Sequence, residues 1–258
     1  MANKPVVVIG LGEMGSVFAR GLLKLGHPVY PVNRDTDMRK LAKQLSTPKL
    51  VLVAVGEKDL PPVLEKLPKA WRKNLALLQN ELLPKDYQHL GKVSVISVWF
   101  EKKKGQDSKV IIPSPVHGPQ AKLLAKALAK LDIPARLIDR KRDMLHELVV
   151  KNLYILTTNI AGLRTGGTVG ELWGQHQDTA RAVANDVIAL QEAMTGKTFD
   201  HEALIQAMVR AFEGDPAHKC MGRSAPARLQ RALENAERLG VETPTLNAIA
   251  AEQKATPA

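Results

Sequence analysis

The stretch Val6-Val-Val-Ile-Gly10-Leu-Gly12-Glu-Met-Gly15 decides the fold. Four β-branched residues in a row read as a strand covered on both faces. They run into GxGxxG and then into a segment, Met14–Leu25, whose apolar spacing is helical. Each glycine has a task. Gly10 permits the tight turn, Gly12 lets backbone approach a pyrophosphate, and Gly15 lets helix and strand pack closely. The helix start then offers unpaired N–H groups and the positive end of its dipole to phosphate. The reading is a dinucleotide site made by Gly10, Leu11, Gly12, Glu13, Met14 and Gly15.

The next strand carries the choice of dinucleotide. An acidic residue at its end accepts from a ribose 2′-OH, whereas a 2′-phosphate is repelled by a carboxylate and held by a guanidinium. Here Val29-Tyr-Pro-Val-Asn33-Arg34 delivers Asn33 and Arg34, which favours NADP(H). Asp35 follows at once and leaves open a turn that tolerates either cofactor; Arg39 and Lys40 add positive charge. Val55, ending a third apolar run, is assigned to the same site.

Outward from there, short apolar runs alternate with helical segments up to Asp139, the pattern of a parallel sheet with crossover helices. The expected strands are Val6–Gly10, Val29–Asn33, Leu50–Val55, Leu75–Gln79, Val93–Val98, Val110–Pro113 and Ala135–Ile138; further helices are expected at Leu60–Leu67 and Gln120–Leu131. Beyond Asp139 strand-like runs vanish. Helices are expected near Asp143–Gly162, Gln177–Met194, His201–Arg210, Pro226–Leu239 and Thr245–Gln253, with a frayed tail Lys254–Ala258. The expectation is an α/β Rossmann-type domain over 1–140 and an all-helical domain over 141–258.

Composition bounds what such a chain can be. With 258 residues, 45% hydrophobic and 24% charged, it is neither disordered nor fibrous and is long enough for two cores. Aromatics at 4% are thin for a base-stacking surface. One cysteine, Cys220, excludes an internal disulfide, and no Cys/His cluster has zinc spacing, so no metal is expected. The formal charge of +11 sits wholly in the first half: residues 1–139 carry 23 Lys and Arg against 12 Asp and Glu, and the remainder 14 against 14. A basic half of this kind attracts a nucleotide phosphate, a membrane surface or nucleic acid, and the scatter of its lysines over helices and loops favours a solvated face; scarce aromatics and the lack of a recognised module weigh against nucleic acid. The glycines interrupt the N-terminal apolar run, and no other run nears the ~20 residues of a membrane helix. The chain reads as cytoplasmic, without membrane or nucleic-acid partner.

The catalytic candidates lie on the first helix of the second half. Asp143–Gly162 is largely apolar, yet carries Glu147, Lys151, Asn152, Thr158 and Asn159. Glu147, Lys151 and Thr158 share one face, and Asn152 and Asn159 another. Charge on so apolar a helix is costly unless it is paired or lines a cleft. Burial lowers a lysine's pKa and suits it to give a proton to a carbonyl oxygen. The alternative is a plain Glu147–Lys151 surface pair. His146 is a second candidate proton donor. His117 reads as a turn residue, with a cleft-facing histidine as the alternative, Glu101-Lys-Lys-Lys104-Gly as a solvated loop, Arg140-Lys-Arg142 as an exposed helix start, and Cys220 as an inert thiol.

A GxGxxG domain followed by a helical domain with a lysine on its first long helix resembles the 6-phosphogluconate dehydrogenase-like group, and within it the ketopantoate reductases. Leu77-Leu-Gln79-Asn80-Glu-Leu-Leu is similar to their QNG segment, Gly222-Arg223-Ser224 to their GRxTE segment, and Gly240-Val-Glu-Thr-Pro244-Thr to their GIxTP segment. The resemblance implies an NADPH-dependent reductase of a small polar carbonyl acid, with its active site in the cleft between the domains. Asn80 then lies beside nicotinamide and substrate, Lys151 moves the proton, and Asn152 or Asn159 binds substrate. Departures are concrete. The gapless placement of the family's Lys-x-x-x-Asn puts Glu147 on the lysine and Lys151 on the asparagine, whereas Lys151-Asn152 is similar to the Lys-Asn pair of glycerol-3-phosphate dehydrogenases. Pro226 stands where GRxTE has its carboxylate. A cofactor-binding regulator or scaffold without catalysis is therefore the main rival, and an imine or amino-acid reductase remains within the enzyme class. An amphipathic helical half suits a homodimer interface.

Overall fold

The computed structural model describes residues 3–255. The chain divides into two compact units, Met1–Leu148 and Val149–Ala258. The division falls inside a long helix, whereas the composition changes at its start, near 140/141.

In chain order the first unit holds β1 (Val6–Ile9), α1 (Glu13–Lys24), β2 (Val29–Val32), α2 (Met38–Gln44), β3 (Leu50–Val53), α3 (Leu60–Lys66), β4 (Leu75–Leu77), α4 (Pro84–Tyr87), β5 (Ser94–Ile96), β6 (Phe100–Glu101), β7 (Lys109–Val110), β8 (Ser114–His117), α5 (Ala121–Ala129) and β9 (Ala135–Leu137). Seven strands form one sheet in the order β2-β1-β3-β4-β5-β8-β9. The chain leaves β1 in opposite directions toward β2 and β3, so the topological switch lies at β1/β3, where ligands collect outside the carboxyl ends of strands. Side chains alternate across the sheet. Val6, Val8, Leu50 and Leu52 pack with Phe18 and Leu22 of α1 and Leu124 and Leu128 of α5. Val7, Ile9, Val51 and Val53 pack on the other face with Leu60, Leu64 and Trp71. Both faces of β1 and β3 are thus dry, which is why these strands read as unbroken apolar runs. Gly21 lets α1 press on α5: a Cβ there would lie 2.2 Å from the Ala127 carbonyl oxygen.

One strand differs from expectation. Val110–Pro113 is not a strand of the large sheet; Lys109–Val110 pairs with Phe100–Glu101 in a small hairpin whose turn holds the lysine run. The sheet strand is Ser114–His117, antiparallel to β5 with Val95 opposite His117 and Ile96 opposite Val116. β9 lies parallel to β8. The reversal puts His117 at the amino edge of the parallel strands, away from the glycine loop, and its Nδ1 lies 2.7 Å from the Ile138 carbonyl oxygen.

Helix α6 (Lys141–Thr165) enters the second unit, followed by α7 (Val169–Gln175), α8 (Gln177–Thr195), α9 (His201–Gly214), α10 (Ala225–Leu239) and α11 (Pro244–Ala255). Lys254 and Ala255, expected in a frayed tail, end α11, and 256–258 lie outside the described residues. α7, α9, α10 and α11 all pack on α8, which buries Val183, Val187 and Ile188. The start of α11 is capped from a distance: Asp186 of α8 accepts from the Thr245 and Leu246 amides at 2.8 and 3.0 Å. Among the described residues no helix is long and apolar enough to cross a membrane, and no group of three or more His, Cys, Asp or Glu is placed to hold a metal.

Candidate functional site

Beyond the carboxyl ends of β1, β2 and β3 the first unit opens into a cleft of about 1020 Å3. Gly10, Leu11 and Gly12 line it from the glycine loop, Asn33 and Arg34 from beyond β2, and Val55 from beyond β3. Six of the expected cofactor residues therefore share one cavity. Glu13 and Met14 begin α1 beside it, and Gly15 lies buried in its first turn.

The three glycines meet three different surroundings. Gly10 has φ +88°, and a Cβ on it would lie 2.9 Å from both the Ala54 carbonyl oxygen and Val55 Cγ1. Gly15 is in backbone contact, since its Cβ would stand 2.0 Å from the Gly10 carbonyl oxygen. Gly12 is the reverse: nothing lies within 4 Å of a Cβ there. It is also the N-cap of α1 and makes no side-chain cap bond, so the first-turn amides face that open space. A pyrophosphate fits such a cradle, because it needs room at Gly12 and donors below it.

Around the β2 end the charges are mixed. Arg34, Arg39 and Lys66 line the cleft together with Asp35, Asp37 and Asp59. Asp37 is turned to α2, accepting from the Arg39 and Lys40 amides at 2.9 and 3.0 Å. Those bonds, the Lys40 amide's first, hold its carboxyl below the usual range. The Asn33 amide donates to Thr36 Oγ1 at 3.0 Å and closes the turn that presents Arg34. Lys66, at the end of α3, carries no motif and was not legible in the sequence. Lys40, expected to add charge, is not among the lining residues.

Farther along the sheet edge, Gln79 ties two strand ends together. Its Nε2 donates to the carbonyls of Val53 and Val55 at 2.8 and 3.2 Å, and the Leu78 amide donates to its Oε1. Asn80 is thereby fixed past β4, and its Nδ2 donates to Glu57 Oε1 at 3.1 Å. Glu81 next to it has φ +61°, a left-handed conformation that favours glycine. Glycine is the residue the similar QNG segment has there.

The helical candidates lie on both sides of the unit division. Glu147, in the first unit, is held by Arg136 of β9, Nη2 to Oε1 2.7 Å, so its carboxylate is turned to that strand. His146 is exposed. In the second unit Lys151 is only 7% exposed, and its ammonium lies 5.4 Å from the centre of the Tyr154 ring, cation–π distance. Asn152 Nδ2 donates to Gln191 Oε1 at 3.0 Å, both side chains being buried. Asn159 Nδ2 donates to the Ile155 carbonyl, and its Oδ1 accepts from Arg228 Nη1 at 3.0 Å. Thr158 bonds back to the Tyr154 carbonyl at 2.8 Å. Burial pushes the Cys220 thiol up to about 11, and nearby Glu171 adds to the shift, which makes it a poor nucleophile. Arg140 and Arg142 pair with Asp143 at the exposed start of α6.

No family model matches the chain, and no curated protein matches it. Solved structures do. The 2-dehydropantoate 2-reductase from Methylococcus capsulatus is 15% identical with a TM-score of 0.70, covering 97% of this chain and 96% of that one. The dimeric ketopantoate reductase from Staphylococcus aureus is 17% identical with a TM-score of 0.63 over 97% and 98%. D-mandelate dehydrogenase in complex with NADH is 14% identical with a TM-score of 0.67 over 96% of each chain. A glycine cradle at the edge of a mostly parallel sheet, followed by a helical second half and matched end to end by such structures, is the ketopantoate reductase fold, and this chain has it.

Proposed function

We propose that this chain is an NADP(H)-dependent oxidoreductase acting on the carbonyl or hydroxyl carbon of a small polar acid, as in the 2-dehydropantoate 2-reductases it is similar to. The observation that carries the reading is the cradle: Gly12 open to solvent over uncapped α1 amides, in one cleft with Arg34. Gly10, Gly12 and the first turn of α1 receive the pyrophosphate, and Asn33 and Arg34 receive the 2′-phosphate. Asn80 orients the reacting ring. The bound nicotinamide supplies the hydride. Lys151 delivers the proton that turns the carbonyl oxygen into a hydroxyl, and the buried Asn152–Gln191 pair holds the helix turn on which it stands.

Fluorescence titration with NADPH and NADH in parallel, at physiological salt, tests the cofactor half. Micromolar binding with preference for NADPH supports it, and binding of neither ends it. Arg34→Ala is expected to weaken NADPH by about 1–3 kcal/mol, the scale of a bond to a charged group, and to leave NADH nearly unchanged; equal losses overturn the 2′-phosphate assignment. For the chemical half, NADPH oxidation is screened against 2-oxo acids, ketopantoate first. Lys151→Ala is expected to lower turnover about a hundredfold or more while cofactor still binds, and retained turnover moves the proton donor elsewhere.

The second reading, a cofactor-binding scaffold, is favoured by one observation: Pro226, in the first turn of α10, where a carboxylate would hold substrate. It predicts NADPH binding with no carbonyl in the screen reduced.

A further inference from the structure

The contact between Asn80 and Glu57 carries information beyond the cofactor assignment. The two residues follow neighbouring parallel strands, β4 and β3, at the carboxyl edge of the sheet. Asn80 Nδ2 lies 3.1 Å from Glu57 Oε1. An ionised carboxylate only accepts hydrogen bonds, so it fixes which end of the amide faces it. One N–H of Asn80 is given to Glu57, and the amide is thereby oriented with its acceptor, the carbonyl oxygen Oδ1, turned away from that carboxylate.

What Oδ1 meets follows from the order of the strands, given the function proposed above. A dinucleotide with its 2′-phosphate at Arg34 beyond β2 and its pyrophosphate at Gly12 beyond β1 continues across the edge toward β3 and β4. Gly56, which lines the cleft, is the chain neighbour of Glu57. The nicotinamide end therefore arrives at Asn80, and its carboxamide is the part that carries N–H donors.

We propose that Glu57 is the positioning residue for Asn80, locking the amide so that Oδ1 accepts from the carboxamide N–H of the nicotinamide. Glu57 itself touches neither cofactor nor substrate. It acts by preventing the amide flip, which would present donors to a donor and lose the bond.

The test uses three ligands and the whole chain. NADP+ carries the carboxamide. Its 3-acetylpyridine analogue keeps the carbonyl but has no N–H. Adenosine 2′,5′-bisphosphate lacks the nicotinamide end altogether. Dissociation constants are measured by calorimetry for the wild type, Glu57→Gln, Glu57→Ala, Asn80→Ala and the double alanine variant. Wild type and Glu57→Gln, which keeps an acceptor at that position, are expected to prefer NADP+ over the acetylpyridine analogue by about tenfold, the scale of one hydrogen bond. In Glu57→Ala and Asn80→Ala the preference falls to near unity, and the double variant is no worse than Asn80→Ala, because coupled residues are not additive. Affinity for the bisphosphate stays within about twofold throughout. The proposal is overturned by a wild type without the preference, by Glu57→Ala that keeps it, by additive losses, or by parallel loss of the bisphosphate, which would mark a folding defect. Wild-type binding of none of the three overturns the cofactor reading and this assignment together, so the two failures are distinguishable.

Discussion

Gly12 and Gly15 stand three residues apart and differ in what surrounds them, which separates binding from stability. A side chain at Gly12 enters open space, so Gly12→Val is expected to cost the free protein no more than the ~1 kcal/mol of a poorer N-cap while abolishing NADPH binding. At Gly15 a methyl group would strike the Gly10 carbonyl at 2.0 Å. Gly15→Ala is therefore expected to cost about 1–3 kcal/mol, the scale of overpacking, and to disturb the turn as well. Thermal melts paired with NADPH titration check both; a Gly12→Val protein that still binds would remove the cradle from the proposed site. These residues were legible because a glycine's constraint is local and survives in the sequence as spacing. Glu57 was not, since its partner lies 23 positions away and two loops must be built before they meet. Lys151 lay between these cases: a charge in an apolar helical run announces burial, but not the Tyr154 ring that faces it.

At the scale of elements, β1, β3 and β4 were legible as apolar runs, and β8 was not. Pro113 and Pro115 flank Ser114, and proline argues against an interior strand because it cannot donate to a ladder. The sheet asks Pro115 only for its carbonyl, which accepts from the Ser97 amide at 2.9 Å. Antiparallel return is a decision of pairing, and no residue type records it. α2 escaped notice for another reason: it buries no residue and is held by the Asp37 cap. The second unit offers a pH test. Burial raises the Asp186 carboxyl above its ordinary 3.8, and the Leu246 and Thr245 amides only partly pull it back. Between 3.8 and its folded value the native state binds more protons than the unfolded chain, so stability from this group falls as pH rises through that window. Asp186→Asn keeps an oxygen for the amides and removes the titration. Urea unfolding from pH 4 to 7 is expected to show wild-type stability declining relative to the variant as pH rises, with a constant difference beyond the window; a difference that grows in favour of the wild type would reverse the assignment.

For the whole molecule, the excess positive charge and the cleft fall in the same half of the chain, and the helical half is electrically balanced. All the residues assigned to the pyrophosphate and the 2′-phosphate belong to the first unit. A ligand bound only by the folded form stabilises it by about 2.7 kcal/mol at a hundred times its dissociation constant, which for a unit of this size is a rise of roughly 5–10 °C. NADPH at that excess is expected to raise the melting transition by this amount, and NADH at the same concentration by less. A scan unmoved by either contradicts the cofactor reading. The two-part organisation was visible as a change of texture after Asp139, since strand-rich and helix-rich sequences use different residues. The place where the compact units divide was not, because α6 runs through it with one continuous helical pattern.

The bond from Asp186 to the start of α11 also orders events in time. The cap sits on α8 and its recipients, Thr245 and Leu246, come 59 and 60 residues later. A helix of twelve residues is marginal by itself in water. During synthesis α8 is therefore complete well before α11 is made, and α11 gains its cap only once it has emerged far enough to reach Asp186. Helix α11 closes the second unit as a latch, and pulse-labelled hydrogen exchange during refolding would register it as late protection of the Thr245 and Leu246 amides.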